Sequence, residues 1–556
     1  MAGTLSGCMV GPHYHQPNPA APASYKGAGQ PNTPAPLSEV VEQPFDDAWW
    51  NSFRDPELTK LERDLSTQNL DLQQATANLG SSRAEMMIAG AERFPMMGIQ
   101  GQYRLTQPSS RQLQEILHRI GKSSPGPFGS MVGQSSKDAE IPLLNAWNYG
   151  VDANYEVDLW GRVARQYEAA KAIADASAWH RRTVLIASQA DLARDYLHLR
   201  GDQKRAAILA ATHGTVEGLV NLTTNRYRTG LVSEVDVEAM QARLHEVEVA
   251  QHGLTQAISQ EQNAIAMLLG KEPHALDMEL GISPIPAVPP QVPIGLPSEL
   301  AHRRPDIREA EAILRQTVAE TGQATADFYP KFTIDANFGM STLSFKDLAM
   351  WSARTWNVGP AITIPIFQGG RLWGQLRLKK EQQKEAAVTY RKTVLKAWHE
   401  VDNALVAYRE GQFRKIGLEG TARDNKRRLT LATSQYRSGL ATYLDVLSAQ
   451  TDLQNAQMAT AQSDADLADG MAKLYNALGG GWKDVLPDKG KDVKLANAVE
   501  EEAVNQTANG VENSYKTRPA AQQGGGGDSL HFPGVVSPPI APAAAVDALV
   551  PTPAPH

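Results

Sequence analysis

Two aspartates at equivalent positions of a repeated segment are the side chains most suited to chemistry in this chain. The two segments read NRYRTGLVSEVDVEAMQARL and SQYRSGLATYLDVLSAQTDL, and they place Asp236 and Asp445 209 positions apart. A carboxylate in the first turn of a helix interacts favourably with the helix dipole, which predicts a structural role for both. If copies of these segments meet around an axis, the same carboxylates also become fixed negative charges around that axis.

Each repeated segment is predicted to be a tight turn between two helices. Gly230 and Gly439 can end the first helix, because glycine adopts positive φ without a Cβ clash. Ser233 and Thr442 precede the aspartates by three positions, which is the spacing of a capping box at the start of the next helix. Such self-similarity at a fixed spacing indicates a duplicated unit.

The only cysteine, Cys8, ends the sequence Leu-Ser-Gly-Cys, which has the small-residue pattern of a bacterial lipoprotein cleavage site. Residues 1–7 are therefore interpreted as a residual signal segment, and Cys8 as the acylated residue. A single cysteine excludes an intrachain disulfide and a metal site made of several cysteines.

Both copies predict a pair of long helices joined by the turn. Residues 163–228 and 372–437 contain no proline, and 66 residues would form a helix about 100 Å long. The return helices are predicted at residues 233–269 and 442–478. Helices of this length that are rich in alanine can bury their apolar faces only by packing side by side as coiled coils.

Two strands per copy are predicted from alternating apolar and polar residues, at 97–106, 147–159, 331–340 and 356–366. Strands of about ten to twelve residues are long enough to cross a bilayer when tilted. Four strands cannot close a barrel, and an open sheet edge is not tolerated in lipid, so the barrel must be shared between chains. Eight strands from a dimer would be filled by side chains, whereas twelve from a trimer leave a lumen. The polar alternate face favours the lumen.

The charge of the chain excludes one class of partner. The formal net charge is −7 and there is no basic run, so we predict no nucleic-acid partner.

Two further helices complete the predicted organisation of the chain. One helix is expected from residue 56 to about 93, and a second, mirroring it, from 298 to about 327. The predicted parts are the residual signal segment 1–7, an N-terminal arm 8–48, the first repeat 49–272, a proline-rich connector 273–297, the second repeat 298–482 and a disordered tail 483–556.

Several motifs resemble one family, in the order in which they occur. They are Cys-Met-Val-Gly-Pro at 8–12, Trp-Trp-x-x-Phe-x-Asp-Pro at 49–56, Asp-Leu-Trp-Gly-Arg at 158–162, Arg-Arg-Pro-Asp-Ile at 303–307 and the two Tyr-Arg-x-Gly-Leu turns. Together they resemble the outer-membrane factor family of TolC-like channels, in particular the OprM-like lipoprotein branch of RND multidrug efflux systems.

The resemblance implies a mixed α and β fold, in which a homotrimer forms a helical barrel across the periplasm and a shared 12-stranded transmembrane β-barrel. It also implies that Cys8 anchors the chain to outer-membrane lipid. The expected partners are a periplasmic adaptor protein and an inner-membrane transporter.

The resemblance also assigns roles at the turns. Asp445 would narrow the periplasmic mouth of the pore, and Tyr436 would form a closed-state hydrogen-bonded pair with Asp236. Ala441 stands where TolC carries a basic gate residue, so that part of the gate differs here.

The predicted function is therefore the outer-membrane exit channel of a tripartite efflux pump for small molecules. Two alternatives are an exit duct for type I protein secretion and a non-conducting coiled-coil scaffold in the periplasm. No catalytic group, metal site or cofactor is predicted.

Overall fold

The computed structural model describes residues 9–18, 22, 24–25, 37–41, 43, 48–107 and 143–482. The interpretations of residues 1–7, of Cys8 and of residues 483–556 lie outside this part of the chain. Within it, no helix has an apolar stretch long enough to cross a membrane.

The helices of the described chain dominate the fold. A 3₁₀ helix at Trp49–Phe53 comes first. The α-helices are α1 (Pro56–Gln68), α2 (Leu70–Ala91), α3 (Arg162–Arg228), α4 (Glu234–Leu268), α5 (Pro297–Arg303), α6 (Pro305–Ala326), α7 (Arg371–Arg437) and α8 (Tyr443–Leu478). The long helices α3 and α7 have 67 residues each, one more than the proline-free spans predict.

The strands are β1 (Glu39–Val41), β2 (Met96–Thr106), β3 (Leu144–Val157), β4 (Gln291–Pro293), β5 (Lys331–Thr342) and β6 (Arg354–Thr363). A parallel pair joins β1 to β4, and an antiparallel sheet has the order β2-β3-β5-β6. In that sheet Val151 lies opposite Ile99 and Phe338, while its neighbour Asp152 lies opposite Gly98 and Asn337. One face of the sheet is therefore apolar and the other polar.

Two strand ends were predicted too far along the chain. β3 ends at Val157 rather than at residue 159, because Asp158 turns away from the sheet and its carboxylate accepts a hydrogen bond of 2.7 Å from Ala164 N–H at the start of α3. β6 ends at Thr363 rather than at residue 366. The apolar residues that follow β6 continue the alternation without a strand partner.

The single helix expected from residue 56 to about 93 is wrong, because it is broken at Asn69. The backbone of Asn69 is extended, and its side chain accepts a hydrogen bond from Leu72 N–H at the start of α2. Its amide also donates to the carbonyl oxygen of Leu268 at 2.8 Å. Asn69 thus ends α1, caps α2 and ties both to the end of α4.

The mirrored helix of the second copy is broken as well. Arg304 precedes Pro305, and a residue before proline is displaced from helical into extended backbone. Its guanidinium makes ion pairs of 2.7 Å with Asp306 and 2.8 Å with Glu400. The break between α5 and α6 is therefore held by charges on α6 and α7.

The long helices pack in two four-helix layers along their length. Near the sheet the order is α2-α3-α6-α7, and near the turns it is α4-α3-α8-α7. Arg315 of α6 binds Asp175 of α3 at 2.8 Å in the first layer, and Lys204 of α3 binds Asp464 of α8 at 2.6 Å in the second. α7 is at one edge of both layers, and α2 or α4 is at the other.

The main apolar core lies where α1 packs on the middle of α3. Trp49 stacks on Tyr475 at a centroid distance of 5.4 Å, and Leu192 and Leu197 are fully buried beside them. Glu62 is also enclosed, with 1% of its surface exposed and neither carboxylate oxygen hydrogen-bonded. Burial holds the pKa of Glu62 well above its ordinary value.

We expect Glu62→Gln to stabilise the protein at alkaline pH. The folded chain keeps the Glu62 proton while the unfolded chain loses it, so stability is highest below the unfolded pKa and falls as the pH rises. At pH 8 the substitution should raise the free energy of unfolding by about 1–3 kcal/mol, with a smaller change at pH 4. Thermal midpoints at both pH values test this against Asp64→Asn, which changes a half-buried acid of the same helix. Equal shifts for the two variants would contradict the expectation.

Candidate functional site

The two turns between the long helices have the same backbone structure. Gly230 has a φ of 75° and Gly439 a φ of 76°. In the first turn Leu231 N–H donates to the Arg226 carbonyl oxygen at 2.9 Å, and Gly230 N–H donates to the carbonyl oxygen of Tyr227. This is the Schellman arrangement, and equivalent bonds form around Gly439.

Both aspartates cap the helix that follows the turn. Asp236 accepts hydrogen bonds from Ser233, at 2.7 Å from the hydroxyl and 2.9 Å from the backbone N–H. Asp445 accepts the same two bonds from Thr442, at 2.6 and 2.8 Å. The hydroxyl and then the backbone bond hold the pKa of each carboxyl below its ordinary value. Both turns therefore carry an ionised carboxylate at neutral pH, and that of Asp445 is exposed to solvent.

Tyr436 lies beside these turns with a different set of neighbours from the one expected. The Arg226 guanidinium carbon lies 4.5 Å from the centre of the Tyr436 ring. Tyr443 meets the same ring edge-on, with centroids 5.5 Å apart. Among the described residues no hydrogen bond joins Tyr436 to Asp236, whose carboxylate is bonded to Ser233. The expected closed-state pair is thus not formed in this structure and stays a prediction.

Arg226, Tyr443 and Met240 were missed in the sequence as residues of this site. Tyr443 is buried, and its hydroxyl donates to Met240 Sδ across the turns. A signal was present in the differences between the copies, because Tyr443 takes the position of Glu234 and Met240 that of Ala449.

The tips of the turns expose large apolar side chains. Leu231 is 73% exposed and Leu440 is 82% exposed, and Val235 and Leu444 beside them are also in solvent. The residue at this Schellman position commonly packs on the third residue from the helix end, but those residues are Arg226 and Gln435. The leucines are therefore left without apolar cover within the chain.

At the other end of the long helices, the N-terminal arm packs where the sheet meets α3. Val10 N–H donates to the Trp160 carbonyl oxygen at 3.1 Å, and the Tyr14 hydroxyl donates to Glu311 at 2.9 Å. A Cβ atom on Gly161 would lie 2.6 Å from Met9 Cγ, so the arm is in close contact with the junction. Residue 9 is thereby fixed at the base of the sheet.

The same arrangement of paired long helices and an antiparallel sheet occurs in a solved structure of an outer-membrane channel. The channel OprN matches with a TM-score of 0.76 and 29% identity over 86% of this chain and 100% of that chain. The chain belongs to the family of outer membrane efflux proteins, whose family model matches residues 62–271 and 296–480.

Curated relatives have the same class of function. The chain is 31% identical over 494 residues to the solvent efflux pump outer membrane protein SrpC of Pseudomonas putida, covering 86% of this chain and 96% of the relative. It is 30% identical over 481 residues to the toluene efflux pump outer membrane protein TtgC of Pseudomonas putida, covering 86% and 93%. The mixed α and β channel fold and the outer-membrane efflux function predicted from the sequence are confirmed.

Proposed function

We propose that three copies of this chain form the outer-membrane exit channel of a tripartite efflux pump, which releases small molecules such as drugs and toxic compounds. The observation that carries the proposal is that the chain is open at both edges of its sheet and at both edges of its helix layers. The names of the relatives, which include solvent and toluene pumps, support small molecules rather than secreted proteins as substrates.

The open edges support closure by further copies. β2 and β6 are the edge strands of the antiparallel sheet, and an unpaired edge in lipid is costly because its backbone groups have no partner. α7 carries exposed apolar residues along its length, including Leu378, Val388 and Leu395. Pairing β6 with the β2 of a second copy, and α7 with its α2 and α4, covers both edges. Three copies give twelve strands, a number that leaves a lumen.

The two faces of the sheet indicate which of them would face lipid when copies of the chain close into a barrel. Val151, Phe338 and Trp356 lie side by side on the apolar face, which suits lipid. Asp152 and Asn337 lie on the opposite face, which suits a water-filled lumen.

The position of the arm supports an anchor at Cys8. Met9, the next residue, lies against Gly161 at the base of the sheet. In the proposed channel this is the level of the periplasmic membrane surface, so an acyl group on Cys8 would reach the inner leaflet directly.

The turns support two further parts of the proposal, which are the docking of an adaptor and a ring of charge at the mouth. The exposed leucines at the tips suit docking of a periplasmic adaptor, itself bound to an inner-membrane transporter, because exposed apolar groups mark protein interaction sites. The ionised carboxylate of Asp445 would form a ring of three charges at the mouth, with Asp236 and Tyr436 beside it. Such a ring favours cations and binds divalent ions.

We expect Asp445→Asn to reduce cation selectivity and to weaken divalent block of single channels in planar bilayers by roughly tenfold. Asparagine is also a good helix cap, so the turn should keep its structure. Asp236→Asn is the matched control, since it removes the same charge from the other turn and should have the smaller effect. An unchanged reversal potential together with unchanged divalent block would contradict the role of Asp445. A chain that forms no channel would contradict the proposed function.

A further inference from the structure

We propose that the groove between α6 and α7 binds the phosphate headgroup of an anionic phospholipid from the inner leaflet of the outer membrane. This inference rests on the proposed channel function, because that function places the groove beside the membrane. The groove has a volume of about 490 Å³ and is bounded by the N-terminal arm, α6 and α7, through Pro12, Thr321, Thr325, Lys380, Lys384 and Ala387.

The groove lies directly below the sheet, on the side of the helices that carries the arm. Thr325 is in the last turn of α6, and β5 begins shortly after that helix ends. Gly11 of the arm is packed on α6, since a Cβ atom added to it would lie 2.7 Å from Gly322 Cα. The arm leads to Cys8, which is proposed to be acylated, so this side of the helices faces lipid rather than the lumen.

The groove is basic, and none of the residues that line it is acidic. In the part of the chain that the structure describes, no carboxylate forms an ion pair with Lys380. Lys384 pairs with Glu381 at 2.8 Å, but both side chains are more than half exposed, and such surface pairs are weak. The neighbouring Lys379 binds Glu320 of α6 at 2.7 Å and so ties the two helices together. Lys380 and Lys384 are therefore free to bind an anion from outside the chain.

The remaining walls of the groove suit an amphiphile better than a free ion. The hydroxyl of Thr321 donates to the carbonyl oxygen of Thr317 at 2.9 Å, and that of Thr325 donates to the carbonyl oxygen of Thr321 at 2.8 Å. A hydroxyl has one proton, so neither threonine can also donate to a ligand. The two lysines supply the positive charge, while Pro12 and Ala387 offer apolar contact. A phosphate ester with an apolar body fits this arrangement.

The geometry of α7 directs the lysines toward the membrane. This helix begins at Arg371 beside the sheet, and the Cα–Cβ bonds of a helix tilt toward its N-terminus. Lys380 lies about 14 Å along α7, and its long side chain leans back toward the headgroup region. Leu378, which faces a second copy in the proposed channel, is two residues away and so lies on a different face of the helix.

Comparison of the two copies shows that the fold does not require a lysine at this position. In the first copy the position of Lys384 is taken by Asp175, which binds Arg315 of α6 at 2.8 Å. The same position of the long helix therefore makes an ion pair between helices in one copy and exposes a lysine in the other. The basic groove is a feature of the second copy alone.

The test titrates the full-length protein in detergent micelles with fluorescent phosphatidylglycerol, and with phosphatidylcholine as the zwitterionic reference. We expect phosphatidylglycerol to bind more tightly, and Lys380→Met and Lys384→Met each to weaken its binding roughly fivefold. Ala387→Trp should also weaken binding, because it fills the groove without changing the charge. Lys392→Met is the matched control, since it removes an exposed lysine of the same helix about 18 Å from Lys380.

Several results would overturn the inference. It is wrong if phosphatidylglycerol binds no more tightly than phosphatidylcholine, or if Lys392→Met weakens binding as much as Lys380→Met. Unchanged binding to Ala387→Trp would place the lipid elsewhere, and displacement of the lipid by millimolar inorganic phosphate would indicate a site for the free ion. All the substituted side chains are exposed, so the variants should fold. Lipid binding in detergent does not require conduction, so a wild-type protein that forms no channel in planar bilayers would contradict the proposed function instead.

Discussion

Valine at Gly150 or at Gly339 is expected to prevent assembly of the channel, whereas valine at Gly359 is expected to be tolerated. Gly150 of β3 lies directly opposite Gly339 of β5. A Cβ atom on Gly150 would lie 2.8 Å from the Gly339 Cα and 2.7 Å from the Phe338 carbonyl oxygen. Both are backbone atoms, so a side chain can be accommodated only by moving one strand away from the other.

The two glycines also affect the curvature of the sheet. Gly150 and Gly339 lie on the polar face of the sheet, in the register between Asp152 and Asn148. Two strands whose backbones approach this closely on one face bend the sheet toward that face, and glycine marks such bends in barrels. A bend toward the polar face is what the inner wall of the proposed barrel requires. A side chain here would oppose closure as well as pairing.

The measurement is the amount of the proposed trimer in outer-membrane fractions, resolved by native electrophoresis. We expect almost none for Gly150→Val and for Gly339→Val. Gly359 is the equivalent of Gly150 in the second copy, lies on the same face, and has no atom within 4 Å of an added Cβ in the protomer. Wild-type amounts of trimer from Gly150→Val, or loss of the folded protomer from Gly359→Val, would refute the argument.

Elements defined by local sequence could be predicted closely. The alternation of residues 147–157 can fit only a strand, and the absence of proline allows α3 and α7 to continue without a break. The turns were equally clear, because positive φ at Gly230 and a capping box at Ser233 both depend on residues within one turn. In each case the deciding interactions are close in sequence.

Elements defined by distant contacts could not be predicted. The apolar pattern around Asn69 predicts an unbroken helix, because the break depends on its amide, which binds the carbonyl of Leu268, 199 residues away. The partners of Tyr436 could not be predicted for the same reason. Tyr227 and Tyr436 are identical in the repeat, but Tyr227 is exposed whereas Tyr436 packs between Arg226 and Tyr443. Only the packing of four helices distinguishes the two copies.

The exposed leucines at the tips of the turns are expected to be needed for assembly of the pump rather than for the barrel. Replacing Leu231 and Leu440 together by serine is expected to abolish efflux while leaving the channel intact. The two leucines are at the ends of the hairpins and make no apolar contact that the fold requires, since the turns are held by backbone bonds and by Asp236 and Asp445. Their removal should therefore change stability very little.

Efflux is expected to be lost because the two leucines are available to contact a protein outside the chain. Burying two such side chains in each subunit against the proposed adaptor is worth roughly 1.5–3 kcal/mol per side chain, and the proposed trimer has six of them. Resistance to exported compounds should fall to that of cells lacking the channel, while trimer amount and single-channel conductance stay at wild-type values. Met278→Ser is the matched control, because Met278 is an exposed apolar residue that lies outside the tips. If the double variant keeps full resistance, the adaptor does not bind at these tips. If it loses trimer as well as resistance, the leucines serve assembly instead, since in that case they must be covered by a second copy of the chain.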